Sequence, residues 1–141
     1  DLALLVLVAD CLPLALPGEG GIAMLHCGWR GLAGGIVAEA AERIGATAAA
    51  VGPGIGPCCF EVGPEVFEAF SSHGDRVRRG NNLDLWQVAA TELERAGVES
   101  TEVAEVCTYC DEKRFFSHRR DRGVTGRQAG ITWPVGGDGG D

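Results

Sequence analysis

LALLVLVADCLPLALPGEGGIAMLHC, residues 2–27, is the stretch that decides the fold. Residues 2–9 are continuously apolar and predict a fully buried strand, which residues 14–16 continue after a kink. Residues 17–21 are rich in Pro and Gly and predict a turn, and residues 22–27 predict a second apolar strand. Two strands joined by a loop of this length predict a β-hairpin.

Three helices are predicted after the hairpin. The first ends at Gly45, a natural C-cap. Its apolar face consists of Leu32, Ile36, Ala40 and Ile44. The second begins at Pro64, a residue favoured in the first turn of a helix. The third follows a capping box formed by Asp84 and Gln87 and runs to Ala96.

Short strands are predicted over residues 48–51, 103–106, 115–117 and 130–133. With the hairpin and the helices, they predict an α+β (mixed α/β) fold of layered mixed β-sheets flanked by helices. The length of 141 residues fits one core, with a domain over residues 1–135. The Gly- and Asp-rich residues 136–141 predict a disordered tail. Because the chain opens at Asp1, directly before its most apolar strand, we expect further sequence upstream.

The formal net charge is −8, which disfavours nonspecific binding to nucleic acid. Residues 113–127 nevertheless hold six basic residues against one acidic residue, which gives +5. A solvated loop and an anion-binding site are both open interpretations of this segment. The opening apolar run is shorter than the about 20 residues that span a bilayer, and it lacks the basic start of a signal peptide. We therefore expect a cytoplasmic protein without membrane contact.

Cys11 and His26 are the first candidates for chemistry. Each lies at the C-terminal end of a predicted buried strand, and if those strands pair in one sheet, the two side chains could emerge on the same edge. A thiolate and an imidazole could hold Zn²⁺ or act as a nucleophile and its base. From spacing alone, a structural Cys and a core His are the simpler interpretation. Asp10 could orient a ligand or cap a turn.

Two glycine-rich stretches could meet an anion. HCGWRG, residues 26–31, predicts a sharp strand-to-helix turn, where Arg30 would add charge and Trp29 would stack on a flat base. The alternative places Trp29 in the core and Arg30 on a carbonyl group. Residues 52–59 resemble a phosphate loop only weakly, because their spacing is not that of a known nucleotide loop and no Lys follows.

The remaining cysteines and histidines predict structural roles. The adjacent pair Cys58 and Cys59 is interpreted as small buried side chains rather than as ligands of one ion. The single CxxC at residues 107–110 lacks a partner pair and predicts structural thiols. Nothing indicates export, so reduced thiols are expected. His73 is predicted at the surface, and His118, among arginines, could contact an anionic ligand.

Taken together, the motifs resemble one family. They occur in the order ADCLP at 9–13, HCGWRG at 26–31, GPGIGPCCFEVG at 52–63, DLW at 84–86, CTYC at 107–110, FFSHRR at 115–120 and TGR at 125–127. This series resembles the laccase-domain (multicopper polyphenol oxidase-like) purine nucleoside phosphorylase family. The resemblance covers nearly all of the chain except its tail. It therefore identifies residues 1–135 as the C-terminal part of such a domain, with a cytotoxic-necrotizing-factor-like fold.

The resemblance implies a zinc centre with three protein ligands. Two of them match Cys11 and His26, which the resemblance also marks as catalytic, and the third is a His from an upstream Gln-Val-His-Gly-type motif that this sequence does not contain. The implied activity is phosphorolysis of adenosine, inosine, guanosine and methylthioadenosine, with adenosine deamination beside it. The expected partners are purine nucleosides and phosphate. The candidate substrate- and phosphate-binding residues are Trp29, Arg30, Gly54, Arg119 and Arg120.

The sequence departs from the family pattern at two positions, with Cys27 where Ala is usual and His118 where Tyr is usual. Copper is the alternative ion, but three histidines without a His-x-His exclude a multicopper cluster. A metal-free hydrolase with Cys11 as nucleophile and His26 as base is the enzymatic alternative. An inactive truncated binding module is the non-enzymatic alternative. The oligomeric state is left open.

Overall fold

The structure is a computed structural model and describes residues 2–135. Its strands are β1 Leu4–Val8, β2 Leu12–Gly18, β3 Gly21–Cys27, β4 Ala48–Val51, β5 Arg78–Arg79, β6 Asn82–Leu83, β7 Ser100–Val103 and β8 Gln128–Thr132. Its helices are α1 Trp29–Ala33, α2 Ile36–Ile44, α3 Pro64–Ala69 and α4 Leu85–Arg95, with a 3-10 helix over Ser71–Val77. The predicted disordered tail lies outside the described residues.

A four-stranded mixed sheet in the order β3-β2-β4-β7 forms the centre of the molecule. The hairpin of β2 and β3 is confirmed, with Leu12 opposite Cys27 and Pro13 opposite His26. β4 joins β2 antiparallel and β7 parallel. The helices and the remaining two-stranded sheets surround this sheet, so the predicted α+β class of layered mixed sheets is confirmed.

The prediction of one fully buried strand over residues 2–9 is wrong. β1 ends at Val8 and pairs with β8 in a separate two-stranded sheet, while β2 is a strand of its own. Val8 is fully buried, but Leu5 and Leu7 are 55% and 54% exposed. An apolar run has no alternation to reveal that only one of its faces is covered, which is why the pattern predicted burial on both faces.

The helix that was predicted to end at Gly45 is two helices. Gly34 and Gly35 separate α1 from α2, and Gly35 has a φ of 86°, which a glycine adopts without strain. The C-cap at Gly45 is confirmed by its left-handed φ of 60°. Only half of the predicted capping box of α4 is confirmed, since the Asp84 carboxylate accepts a hydrogen bond from the Gln87 N–H at 3.0 Å. The Gln87 side chain instead donates to the Thr91 hydroxyl, and the Asp84 N–H donates to the Val77 carbonyl.

The later elements differ from the predictions in several places. β7 begins three residues before the predicted strand, and residues 115–117 form no strand. His73 was predicted at the surface but is 7% exposed, because the 3-10 helix turns it towards Glu92 of α4, whose carboxylate lies 2.8 Å from Nε2. Among residues 2–135, no helix has the length and apolar character needed to cross a bilayer.

Candidate functional site

The hairpin brings Cys11 and His26 to one end of the central sheet. His26 lies one residue before the end of β3, as predicted, whereas Cys11 was predicted at the C-terminal end of a strand and directly precedes β2. Because β2 and β3 are antiparallel, the start of one strand lies beside the end of the other, as the pairing of Pro13 with His26 shows. Gly28 leaves room for the thiol, since a Cβ at this position would lie 2.9 Å from Cys11 Sγ.

Both side chains line a cavity of about 460 Å³. This volume is within the range of pockets that hold small organic molecules. His26 is exposed and Cys11 is half-buried, so neither is enclosed in the core. The other lining residues are Ala9, Asp10, Gly28, Trp29, Arg30, Gly31, Ile55, Phe60, Leu85, His118 and Arg119.

Two arginines at this cavity each lie over an aromatic ring. The guanidinium of Arg30 lies 4.6 Å from the centre of the Trp29 ring, and that of Arg119 lies 5.2 Å from the Phe60 ring. The Arg119 guanidinium also donates a hydrogen bond to the Glu61 carbonyl at 2.8 Å. Stacking on an aromatic ring holds a guanidinium in place while leaving N–H groups for an anion. The cavity therefore offers flat apolar faces together with fixed positive charge.

Asp10 ties the segment after β7 to the strand end that carries Cys11. Its carboxylate accepts a hydrogen bond from the Thr108 hydroxyl at 2.7 Å and another from the Arg119 N–H at 2.9 Å. Its carbonyl accepts a hydrogen bond from the Ile55 N–H at 2.9 Å. Sequence reasoning gave Asp10 an orienting or a capping role, and what it orients is the loop that carries Arg119.

The sequence-predicted binding residues do not all reach the cavity. Trp29, Arg30 and Arg119 line it, whereas Gly54 and Arg120 are not among its lining residues. The backbone of Gly54 packs so closely that a Cβ would lie 2.9 Å from the Asp10 carbonyl oxygen. Arg120 donates hydrogen bonds to the carbonyls of Thr108, Tyr109 and Phe115 and pairs with Asp121. Substrate roles for Gly54 and Arg120 stay predictions.

Three apolar lining residues, Ile55, Phe60 and Leu85, were missed by sequence reasoning. Nothing in a single sequence distinguishes an apolar side chain at a cavity wall from one in the core. His118 was considered as an anion contact, and the structure places it at this cavity.

The environment of Cys11 favours the neutral thiol. Burial raises its pKa, the neighbouring Asp10 carboxylate raises it further, and Arg127 lowers it by a smaller amount. The pKa of Cys27 is raised to about 12, mainly by burial and then by Cys11. A metal ion would displace the proton from Cys11, since the thiolate is the form that binds metal.

The donor set at Cys11 and His26 suits zinc, because a sulfur and an imidazole nitrogen are both ligands that this ion prefers. It is incomplete within the described chain. Among residues 2–135, no group of three or more close-lying His, Cys, Asp or Glu ligand atoms includes either residue. The described residues thus supply two donors on an open cavity.

The structure also gathers four cysteines that sequence reasoning kept apart. The sulfurs of Cys58, Cys59, Cys107 and Cys110 all lie within 4.8 Å of one another, so this cluster could hold a metal ion. The interpretation of Cys58 and Cys59 as buried small side chains is wrong, since Cys58 is exposed and Cys59 half-buried. Adjacent side chains diverge on a strand, but residues 57–59 form a turn, in which both sulfurs can face one point.

The thiols of this cysteine cluster differ in acidity. Burial would raise the pKa of Cys107, but hydrogen bonds from the backbone N–H groups of Gly56 and Cys110 and from neighbouring thiols lower it overall. The pKa of Cys58 is raised to about 11, first by burial. Cys107 therefore loses its proton more readily than Cys58.

The comparisons with known proteins identify the family of this chain. Residues 1–134 match the family described as multi-copper polyphenol oxidoreductase laccase. A purine nucleoside phosphorylase, YfiH of Shigella flexneri, is 39% identical over 92% of this chain and 58% of its own length. Purine nucleoside phosphorylase YlmD of Geobacillus stearothermophilus is 37% identical over 84% of this chain and 51% of its own length. The chain thus spans between half and three-fifths of the length of these relatives.

Solved structures give the same answer. Protein NMB0706 of Neisseria meningitidis matches with a TM-score of 0.85 and 35% identity, over 95% of this chain and 61% of that one. The YlmD structure from Geobacillus stearothermophilus matches with a TM-score of 0.81 and 36% identity, over 92% of this chain and 56% of that one. A family match over almost the whole sequence and close relatives of the same fold lead to one conclusion: the chain belongs to the multi-copper polyphenol oxidoreductase laccase family.

Proposed function

We propose that this chain carries the nucleoside-binding part of a zinc-dependent purine nucleoside phosphorylase. The observation that carries the proposal is the single cavity of about 460 Å³ that is lined together by Cys11, His26, Trp29, Arg30 and Arg119. In the proposed reaction, the bond between C1′ of the ribose and the purine nitrogen breaks, and its electron pair leaves with the base. A phosphate oxygen forms the new bond to C1′. The leaving base takes up the proton that the attacking hydrogen phosphate gives up, so the products are the neutral free base and ribose 1-phosphate.

The base would bind against the flat side chains of the cavity. Trp29 and Phe60 offer ring faces, and Ile55 and Leu85 add apolar wall. Purines stack well on aromatic side chains, and such a contact is tolerant of the exocyclic group. This tolerance suits the proposed substrates adenosine, inosine, guanosine and methylthioadenosine.

Phosphate would bind at the arginines. Arg30 and Arg119 both line the cavity, and each guanidinium lies over an aromatic ring at its wall. Guanidinium groups bind phosphate oxygens in pairs of parallel hydrogen bonds. The positive charge would also stabilise the negative charge that the leaving base and the phosphate share in the transition state.

Zinc would be held by Cys11 and His26, with the third protein ligand being the upstream His that the family resemblance implies. Bound there, the ion would supply Lewis acidity to the cavity. The open positions on such an ion are what distinguish a catalytic zinc site from a structural one. Adenosine deamination belongs to the same proposal as a side activity, in which water attacks C6 of the purine ring and ammonia leaves, so that inosine is the product. A cytoplasmic location, where these substrates occur, is part of the proposal.

The experiment is to incubate the zinc-supplemented protein with inosine and phosphate and to separate the products by chromatography. The expected result is hypoxanthine and ribose 1-phosphate in equal amounts, formed only when phosphate is present. Cys11→Ala and His26→Ala should each eliminate product in a full-length version that includes the upstream His. Cys27→Ala is the matched control, because this thiol is adjacent to His26 but fully buried, and it should retain activity.

A second readout tests the binding step without turnover. Saturation-transfer NMR should detect inosine bound to the protein, and Trp29→Ala should weaken that signal. Free ribose formed without phosphate would support the metal-free hydrolase instead. A protein that binds inosine but forms no product would favour the inactive binding module. A protein that neither binds inosine nor forms any product would contradict the proposal.

A further inference from the structure

We infer that Cys58, Cys59, Cys107 and Cys110 bind one zinc ion in a closed, tetrahedral, four-sulfur site, separate from the cavity of Cys11 and His26. The proposal does not depend on the phosphorylase activity. It rests on the positions of four sulfurs and on the backbone that surrounds them.

The spacing of the four sulfurs fits one tetrahedral zinc ion. Zinc–sulfur bonds of about 2.3 Å in a tetrahedron place the sulfurs about 3.8 Å apart. In the structure, Cys110 Sγ lies 3.6 Å from Cys58 Sγ and 3.4 Å from Cys59 Sγ, and all four sulfurs lie within 4.8 Å of one another. A single ion fits this spacing, whereas an iron–sulfur cluster of several irons needs its sulfurs further apart. All four cysteines are free thiols.

The parallel pairing of β4 with β7 produces this spacing of the sulfurs. β4 and β7 are parallel neighbours, so the loops that follow them leave the sheet at the same edge. The first loop carries Cys58 and Cys59, and the second carries the CxxC of residues 107–110. A bridge between Gly54 and Cys107 joins the two loops directly. Each loop thus contributes two of the four ligands.

A backbone N–H group is directed at one of the four sulfurs. The Gly56 N–H donates a hydrogen bond to Cys107 Sγ at 3.2 Å. A Cβ on Gly56 would lie 2.6 Å from the Trp86 ring and 3.2 Å from Cys107 Cβ, so only glycine allows this approach. Hydrogen bonds of this kind orient metal ligands and stabilise the thiolate.

The site would fix the loops that form the cavity wall. The first loop also carries Ile55 and Phe60, which line the cavity. The second carries Thr108, whose hydroxyl binds Asp10, and it leads into Arg119. A zinc ion between the loops would hold these residues in position without contacting substrate.

The test measures metal in the Cys11→Ala/His26→Ala double variant, which lacks both donors of the proposed catalytic site. Mass spectrometry of metal content should find one zinc per chain. Replacement by Co²⁺ should give the intense sulfur-to-cobalt absorption of tetrahedral thiolate coordination. Adding Cys107→Ser or Cys110→Ser should lower zinc content at least about tenfold. Adding Cys27→Ala, the matched control thiol outside the cluster, should leave zinc content unchanged.

A substitution that prevents folding does not remove the test. Cobalt titration of the reduced double variant, with all four cluster thiols intact, needs no further change and should saturate at one ion per chain. Absence of thiolate–cobalt absorption in that protein would overturn the proposal. So would bound iron in place of zinc, or a disulfide between Cys110 and Cys58 or Cys59 in protein purified with reductant. Absence of phosphorylase activity in the protein that keeps Cys11 and His26, with zinc bound at the cluster, would contradict only the proposed function.

Discussion

The molecule holds two groups of candidate metal-ligand side chains that differ in how completely they would surround an ion. The cysteine cluster presents four sulfurs within 4.8 Å of one another, with a backbone N–H directed at one of them. Cys11 and His26 present two donors on the wall of a cavity. A closed set of four ligands is typical of structural zinc, and an open set is typical of catalytic zinc.

The difference has a topological origin. The cluster lies where two parallel strands deliver loops to one edge, so four ligands come from two short segments. Cys11 and His26 lie at one end of an antiparallel hairpin, where each strand contributes one donor. In this proposal, one small sheet carries two sites with different roles. Zinc at the cysteine cluster would fix the loops that form the cavity wall, and Cys11 and His26 would act in the cavity.

The largest effect on stability is expected when the cysteine cluster loses one of its four zinc ligands. Cys107→Ser removes a buried ligand and leaves the Gly56 N–H with a poorer acceptor. In zinc at about 100 times its dissociation constant, the variant should lose about 2.7 kcal/mol of unfolding free energy relative to the parent. Urea unfolding with and without zinc measures this, with Cys27→Ala as the control. Equal stabilisation of parent and variant by zinc would contradict the comparison.

A smaller effect on stability is expected when the hydrogen bonds of Asp10 to Thr108 and Arg119 are weakened, because these bonds connect the loop of the cysteine cluster to the cavity. Asp10→Asn replaces one carboxylate oxygen by an amide NH₂, which is a donor and cannot accept a hydrogen bond. The one oxygen that is left cannot replace both acceptors, so either the Thr108 hydroxyl or the Arg119 backbone N–H loses its partner. The expected cost is about 2 kcal/mol of unfolding free energy. Hydrogen exchange of the Arg119 amide should accelerate. Thr108→Ser, which keeps the hydroxyl, should preserve slow exchange of the Arg119 amide. Rapid exchange in that control would contradict the proposed role of the Asp10 hydrogen bonds.

Gly28→Ala tests the open site alone. The added Cβ would lie 2.9 Å from Cys11 Sγ and should displace the thiol. We expect Co²⁺ binding at the cavity to weaken about tenfold, as for other changes around metal ligands. Gly31→Ala is the control, because its Cβ would meet the His26 carbonyl oxygen at an ordinary 3.6 Å. Cobalt absorption titrations in a Cys107→Ser background compare them, and equal affinities would contradict the account.

Metal binding at the cavity should also weaken as pH falls. Burial and Asp10 raise the pKa of Cys11, so the thiol is protonated at neutral pH and must lose its proton to bind the ion. Affinity should fall about tenfold for each unit of pH below that pKa, because one proton competes with the metal. Titrations at several pH values measure the slope. Affinity that rises on acidification would be the opposite of the expected sign.

The smallest effect concerns the ion pair of Arg120 with Asp121. Hydrogen bonding to Arg120 holds the pKa of Asp121 below its ordinary value, although burial opposes this. Its contribution to stability is therefore present above the ordinary carboxyl pKa and is lost as pH falls through the lowered pKa. Asp121→Asn should lower Tm slightly at pH 7 and not at all in strong acid. A difference in Tm that grows on acidification would contradict this sign.

Local signals made much of the fold predictable. The hairpin, the cap at Gly45 and the Asp84–Gln87 cap each depend on a few neighbouring residues, and the structure confirms them. The placement of Cys11 and His26 on one cavity follows from the hairpin. The cysteine cluster was not predictable in this way, because its two halves meet only through the parallel pairing of β4 with β7. No local pattern around Cys58 or Cys107 records that pairing.

X-ray absorption at the zinc edge, with one equivalent of zinc added to the metal-free, reduced chain, tests the central comparison most directly. The account predicts that the closed cluster takes the ion first, with four sulfurs at about 2.3 Å and no nitrogen ligand. A first shell of one sulfur with nitrogen and oxygen would place the ion at Cys11 and His26 instead. That result would contradict the assignment of the cluster as the stronger, structural site.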